Sequence, residues 1–370
     1  MNMTNLPMAD VILDSLNDGL YVCDIDRRII FWSKSAERIT GWKAEDVVGH
    51  RCMDDILCHV DKDGRRLCGE EFCPLHRSMV TDTASTCPSI VFGKTKNRGR
   101  VPMVVSVSPI HDPMGNVIGG VENFHDFSES YQDLERAKRI QTLSLECDLP
   151  RDDRVSFSSF YLPYDMIGGD YFAINRVDED RYGFFLADVM GHGVAAALHT
   201  MHLSSLWVRH KDKLVSPSEF AQKVNAELSK VVKDESFATA VCGIIDAASG
   251  LVRFASAGSP PLLILDREGG IQHQEAAGLP FGMFTDAEYQ EREFTCQPGD
   301  CLLMFTDGAI EINNANGEML KPEGLVNILQ SLDYPRSRIE IEELQKALLQ
   351  FSNDIRLNDD LTFLEFRFFG

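Results

Sequence analysis

Four aspartates constrain this chain more than any other feature: Asp170 in IGGDYF, Asp188 in FFLADVMGHG, Asp307 in LLMFTDGAIE and Asp359 in RLNDDLTFLEF. Each stands at the end of a strand-like run, in or beside a turn of small residues. Packing such strands puts the carboxylates at the rim of a sheet. Unpaired burial there is costly, so they either face water or share a cation. Alone, each reads as a turn residue; the four together, in this order, read as a metal centre. Their charge matches that of two divalent ions, and all-oxygen ligation suits Mg²⁺ or Mn²⁺.

Residues 151–370 alternate short apolar runs with longer helical ones. Strands are expected near 155–162, 171–176, 182–189, 238–246, 251–257, 261–266, 290–295, 300–306 and 360–368, and helices near 192–211, 216–233, 323–332 and 338–353. Hairpin signals such as DAASG favour antiparallel sheets. Nearer the start, residues 10–20 carry helical spacing, and YVCDIDRRIIFW alternates as two strands turning at Asp24 and Asp26. SKSAERITGWKAEDVVGH reads as two short helices stopped at Gly41 and Gly49. TCPSIVFGKT, RVPMVVSVSPIHD and VIGGVENFHD read as three further strands, the last two joined at the turn DPMGN. The expected class is α+β, with a five-stranded antiparallel sheet and helices preceding a larger domain.

A helix is expected to connect them over 126–149, DFSESYQDLERAKRIQTLSLECDL. Asp126 and Glu129 have capping-box spacing. Phe127, Tyr131, Leu134, Ala137, Ile140 and Leu143 make an apolar stripe that drifts from a strict heptad. It suits either a dimeric coiled coil or a helix packed on its neighbour.

Residues 10–128 resemble a PAS sensor domain through NDGLYVCDID, AERITGWKAEDVVGH and the closing strand that ends at Ser128. The resemblance implies sensing or dimerisation and names no signal. Ser33 departs from the Asn that many members carry. Residues 137–370 resemble the metal-dependent phosphatases of the PPM (protein phosphatase 2C) superfamily, in its bacterial SpoIIE-like branch. The matching text is AKRIQ, GGDYF, ADVMGHGVAAAL, FATAVCGIID, FASAGSPPLLIL, GLPFGM, PGDCLLMFTDGAIE and NDDLTFLEF. Ser259 departs from the usual AGHPP. The implied organisation is a PAS domain over 8–128, a linker helix over 129–150 and a phosphatase over 151–370. The phosphatase fold it implies is an αββα sandwich, two antiparallel sheets flanked by helices.

That resemblance also implies a ligand set. Asp170, Asp188 and the backbone carbonyl of Val189 would hold one Mn²⁺ or Mg²⁺; Asp307 and Asp359 would hold the second, with Asp188 bridging. Asp360 would support them. Asp188 and Asp170 would be the catalytic carboxylates, and a metal-activated water would attack the phosphoryl group without a protein nucleophile. Cys242, mid-strand in TAVCGII, reads as a packed thiol. Val155 to Asn175 contain no Lys or Arg, so no arginine clamp precedes GGD. His192 reads as a proton donor, a water orienter or a helix cap.

Net charge is −21, spread unevenly: residues 1–128 hold 14 basic and 18 acidic residues, leaving 22 and 39 in 129–370. Non-specific nucleic-acid binding is excluded by that balance. No apolar run approaches the ~20 residues of a membrane span, and MNMTNLPMADVILDSL lacks the pattern of a secretory signal. A cytoplasmic chain without a membrane partner is expected, its cysteines mostly reduced. Cys52, Cys58, Cys68 and Cys73 are interspersed with His50, His59 and His76. They read as a metal or redox site, an unliganded thiol cluster or disulfides. The resemblance further implies a phosphorylated STAS-type anti-sigma-factor antagonist as substrate and a homodimer through PAS and linker. The rival readings are a non-catalytic, PAS-controlled binding module and a nucleotide hydrolase.

Overall fold

Alternating burial builds the N-terminal sheet. The computed structural model describes residues 13, 16–62, 64–69, 72–85, 89–145, 149–232, 236–338, 340–352 and 357–369. The chain divides into two compact units, Met1–Leu134 and Glu135–Gly370. In the first, β1 (Gly19–Asp24) and β2 (Ile29–Trp32) are followed by helices α1 (Lys34–Thr40), α2 (Ala44–Val47) and α3 (Pro74–Thr81). Strands β3 (Ser89–Thr95), β4 (Gly99–His111) and β5 (Val117–Asp126) complete an antiparallel sheet of order β2-β1-β5-β4-β3. In β4 the period of two buries Val101, Met103, Val105 and Val107, which pack with Tyr21, Phe124, Leu75 and Met79.

The departure at Ser33 has a physical account. Its hydroxyl accepts from the Ala36 amide at 3.1 Å, capping α1, and from the Leu20 amide at 3.0 Å, tying that cap to β1. Positions 10–12, 14 and 15 of the helix expected over 10–20 lie outside the described residues, and its last two positions open β1 instead. Residue 8, Cys87 and positions 146–148, 233 and 353 of expected elements also lie outside them. Helix α3 was not expected: it is short, starts at a proline and follows a cysteine-rich loop that lacks periodicity.

Helix α4 (Ser128–Leu145) follows. Asp126 caps it, accepting from the Ser128 amide at 3.0 Å. The apolar stripe does not form one buried face. Phe127, Tyr131, Leu134 and Ala137 are half-buried, whereas Ile140 and Leu143 are 56% and 68% exposed. Gln141 and Leu145 are buried in their place. The drift from heptad spacing rotates the stripe off the contact face within two turns.

The second unit holds β6 (Val155–Leu162), β7 (Asp170–Arg176), β8 (Arg181–Val189), α5 (Val194–His210), α6 (Pro217–Leu228), β9 (Ala238–Asp246) and β10 (Leu251–Ala257). Then come β11 (Leu262–Leu265), β12 (Ile271–Gln274), β13 (Glu291–Thr295), β14 (Cys301–Phe305), α7 (Lys321–Ser331), α8 (Ile341–Ser352) and β15 (Leu361–Phe368). They form two antiparallel five-stranded sheets, β13-β10-β9-β8-β7 and β12-β11-β14-β15-β6. The sheets meet face to face through aromatic side chains: Phe157 lies 4.9 Å from Tyr182 and 5.2 Å from Phe366, and Phe184 lies 5.5 Å from Phe366. Trp207 of α5 and Phe220 of α6 cover Phe185 on one outer face. Leu325 and Leu329 of α7 and Leu344 and Leu348 of α8 cover Leu303 and Phe305 on the other. This is the expected αββα sandwich. The unexpected strand is β12, a polar edge run that lacks the apolar signature of the others. Among the described residues, no helix is long and apolar enough to cross a membrane.

Candidate metal centre

Strand register brings the first two carboxylates together. Asp170 opens β7, Asp188 nearly closes β8, and the two are directly opposite across the ladder. Like charges so placed destabilise a sheet, yet both are buried, Asp170 completely and Asp188 to 8% exposure. Asp307 begins a short 3-10 turn immediately after β14, and Asp359 and Asp360 immediately precede β15. Carboxylates from both sheets therefore collect at one end of the sandwich.

The electrostatics are those of an unneutralised acidic cluster. Burial first, and then the charges of Asp170 and Asp307, push the Asp188 carboxyl up to about 12. Asp170 is raised well above the usual range by burial and by Asp360. Burial also raises Asp359 and Asp360. Asp170 Oδ1 and Asp307 Oδ1 are buried without a hydrogen-bond partner. Two free acceptors, in a cluster of acidic oxygens that repel each other, call for a cation. Among the described residues no three ligating side chains already close about a metal-sized point; ligation requires them to draw in. The donor set fits Mg²⁺ or Mn²⁺.

Sequence reading named Asp360 as a support and missed the others. Thr306 and Thr362 both donate to Asp170 Oδ2, at 2.9 and 2.5 Å, fixing one oxygen and leaving the other free. Asp360 accepts from the Tyr164 amide at 2.6 Å and from the Gly169 amide. It thus holds the turn that delivers Asp170. A Cβ on Gly169 would stand 2.7 Å from the Val189 carbonyl oxygen, so the glycine pair allows that carbonyl to lie against the turn. Gln141 of α4 also reaches this turn, donating to the Gly168 carbonyl at 2.7 Å and to Thr200 Oγ1 at 3.0 Å, and accepting from the Gly168 amide at 3.2 Å. AKRIQ carries that glutamine, but its buried role follows only from the helix rotation.

His192 is exposed beside the cluster, its ring 4.9 Å from that of Tyr164, and its charge acts on Asp359 and Asp360. It does not cap α5, whose N-cap is Gly193. His199 and His202 sit along α5. Cys242 is buried mid-strand, as expected of a packed thiol. The four expected PAS cysteines do not all meet: Cys52, Cys68 and Cys73 line one cavity, joined there by Cys23. Cys58 is turned elsewhere, its Sγ donating to the Met53 carbonyl at 3.3 Å.

Comparisons with known proteins agree with both halves. Residues 178–369 match the family model described as Stage II sporulation protein E (SpoIIE), and residues 13–132 match one described as PAS fold. The phosphoserine phosphatase RsbP of Bacillus subtilis is 33% identical over 185 residues, 49% of this chain and 45% of that relative. The matched part is thus less than half of RsbP. The phosphoserine phosphatase RsbU of Bacillus subtilis is 23% identical over 299 residues, 80% of this chain and 86% of that one. Among solved structures, the SiaA-PP2C domain of Pseudomonas aeruginosa superposes with a TM-score of 0.56 at 22% identity, covering 65% of this chain and 96% of that one. The phosphatase domain of SpoIIE from Bacillus subtilis, with a fragment of its regulatory domain, gives 0.51 at 16% identity, over 76% and 80%. These two likenesses concern the fold.

Proposed function

The chain belongs to the Stage II sporulation protein E (SpoIIE) family, and on that premise we propose that it is a metal-dependent protein serine/threonine phosphatase governed by a PAS input. One observation carries this reading: Asp188 is buried directly across the ladder from buried Asp170, and the two can ionise together only with a cation to offset their charge. Asp170, Asp188 and the Val189 carbonyl would hold one ion, and Asp307 and Asp359 the other, with Asp188 shared. Divalent ions bound there supply neutralisation of phosphate charge and acidification of a water. The chain's own residues do the positioning. Thr306 and Thr362 orient Asp170, Asp360 holds its turn, and exposed His192 stands where it can exchange a proton with a leaving alkoxide.

The proposed substrate is a phosphoserine or phosphothreonine on a STAS-type anti-sigma-factor antagonist. Two relatives named as phosphoserine phosphatases support the reaction class. The proposed organisation is sensor over 8–128, linker over 129–150 and phosphatase over 151–370, in the cytoplasm. Free thiols at all eight described cysteines suit a reducing compartment. The test is phosphate release by the full chain from such a phosphoprotein and from nucleoside triphosphates. Release from the phosphoprotein alone supports the proposal. Binding without turnover favours the pseudophosphatase reading, and nucleotide turnover alone overturns the substrate class.

The proposed homodimer uses the face that α4 leaves open. Ile140 and Leu143 are exposed large apolar residues flanking buried Gln141, which grips the turn before Asp170. Pairing through that face would set the helix rotation, and with it the turn. Ile140→Asp is therefore expected to halve the mass seen by light scattering and to change turnover about three- to tenfold, a shift of about 1 kcal/mol. Unchanged mass and turnover would make α4 a passive tether.

A further inference from the structure

Four thiols from separate segments meet inside the PAS unit. Cys23 of β1, Cys52 and Cys68 of the loop between α2 and α3, and Cys73 just before α3 line one cavity with Arg27 and Arg51. Its volume of about 10 Å³ is roughly that needed for one water, so only a very small molecule fits. Cys52 and Cys68 both line this cavity, and each acts on the other's proton affinity. Cys68 Sγ also accepts from the His59 amide at 3.1 Å. Arg27 is held beside it on the Gly69 carbonyl at 2.6 Å. Arg51 Nε is buried there without a hydrogen-bond partner.

The four thiols are not equivalent. Burial pushes Cys23 and Cys73 up to about 11. Cys68 is drawn down to about 7, first by Cys52, with the His59 amide and the charges of Arg66 and Arg100 adding to it. Cys52, its partner, is raised. This is one nucleophilic sulfur and one protonated neighbour, in a site that holds guanidinium groups and also faces buried Glu122, pushed up to about 8 by burial and by Cys68. Free carboxylate oxygens in the other unit call for a cation; here the guanidinium groups of Arg27 and Arg51 line the cavity.

We propose that Cys52 and Cys68 form a dithiol that small hydroperoxides oxidise to a disulfide, a modification site within the PAS unit. The Cys68 thiolate attacks the distal peroxide oxygen; the O–O bond breaks, a proton is taken up, and an alcohol or water leaves, giving Cys68 sulfenic acid. The Cys52 sulfur then attacks the sulfenic sulfur, the S–S bond forms, and the hydroxyl leaves with the Cys52 proton as water. Sulfur loses two electrons and the peroxide gains them. This site stands independently of what the second unit hydrolyses.

The test uses the full reduced chain, exposed to hydrogen peroxide, alkylated, digested and mapped by mass spectrometry. Expected are the loss of the Cys52 and Cys68 thiols together and a joined peptide pair about 2 Da lighter than its reduced parts. In the wild type, which needs no variant to fold, the rate should reach half its maximum near pH 7. Cys52→Ser should leave a Cys68 sulfenic acid that a cyclic 1,3-dione traps. Cys68→Ser should slow oxidation of Cys52 at least about tenfold. The proposal is overturned if Cys68 survives as long as packed Cys242, or if the disulfide joins other residues. Stoichiometric metal in the fresh chain, lost with Cys68→Ser, would overturn it too.

Discussion

Asp188→Asn should abolish phosphatase activity, lowering turnover by about a thousandfold or more at moderate Mn²⁺. Asn keeps the shape of the side chain but removes the charge proposed to be shared by both ions. The same change should make the metal-free protein more stable. Asp188 faces Asp170 across the ladder and is buried, so folding of wild type must suppress an ionisation that Asn lacks. The sign with pH follows from the raised carboxyl. Unfolded Asp ionises from its ordinary value of 3.8, while the folded side chain holds its proton up to about 12. Folding is therefore opposed increasingly as pH rises from about 4 through the neutral range. Melting of the two proteins in chelator at pH 5 and pH 8 should show Asn the higher, with the wider gap at pH 8. Saturating Mn²⁺ should then raise the melting of wild type and leave Asn nearly unmoved. Near-wild-type turnover in Asp188→Asn would remove the bridging assignment.

Asp360→Ala should cost both stability and activity, and Asp360→Asn should restore most of each. The carboxylate bonds the Tyr164 and Gly169 amides. Deleting it strands two donors beneath the turn that carries Asp170, at about 2–4 kcal/mol in total. Loss of a repelling charge offsets part of that cost, because burial already raises Asp360. Turnover is expected to fall about a hundredfold in Ala, with weaker Mn²⁺ affinity, and to stay within about tenfold in Asn, which keeps one acceptor. A purely structural role would lower melting without moving the Mn²⁺ midpoint. Equal Mn²⁺ midpoints in wild type, Ala and Asn would show that Asp360 does not position Asp170.

These two residues also show what the sequence disclosed. Apolar strands ending in Asp were legible because burial at a sheet rim is written in composition, and register did the rest: Asp170 and Asp188 had to be opposite once their strands paired. Most strands of the second unit begin and end within a residue or two of the expected positions for the same reason. Apart from Asp360, side-chain supports were not legible. Nothing in MFTDG or DDLTF reveals that Thr306 and Thr362, 56 positions apart, donate to one carboxylate oxygen. The stripe of α4 misled because a small angular drift exchanges Ile140 and Leu143 for Gln141 and Leu145. Cys23 was separated from the other thiols by chain distance, and only the sheet brings it to their cavity while turning Cys58 away.

The central claim is that the acidic cluster holds divalent ions that hydrolyse a phosphoprotein. A Mn²⁺ titration of the metal-free full chain, counting bound metal while following phosphate release from a phosphoserine protein, tests it most directly. The account predicts no release in chelator and a rise to a plateau as about two Mn²⁺ bind per chain. Release that persists undiminished in chelator, or metal that binds without any release, would contradict it.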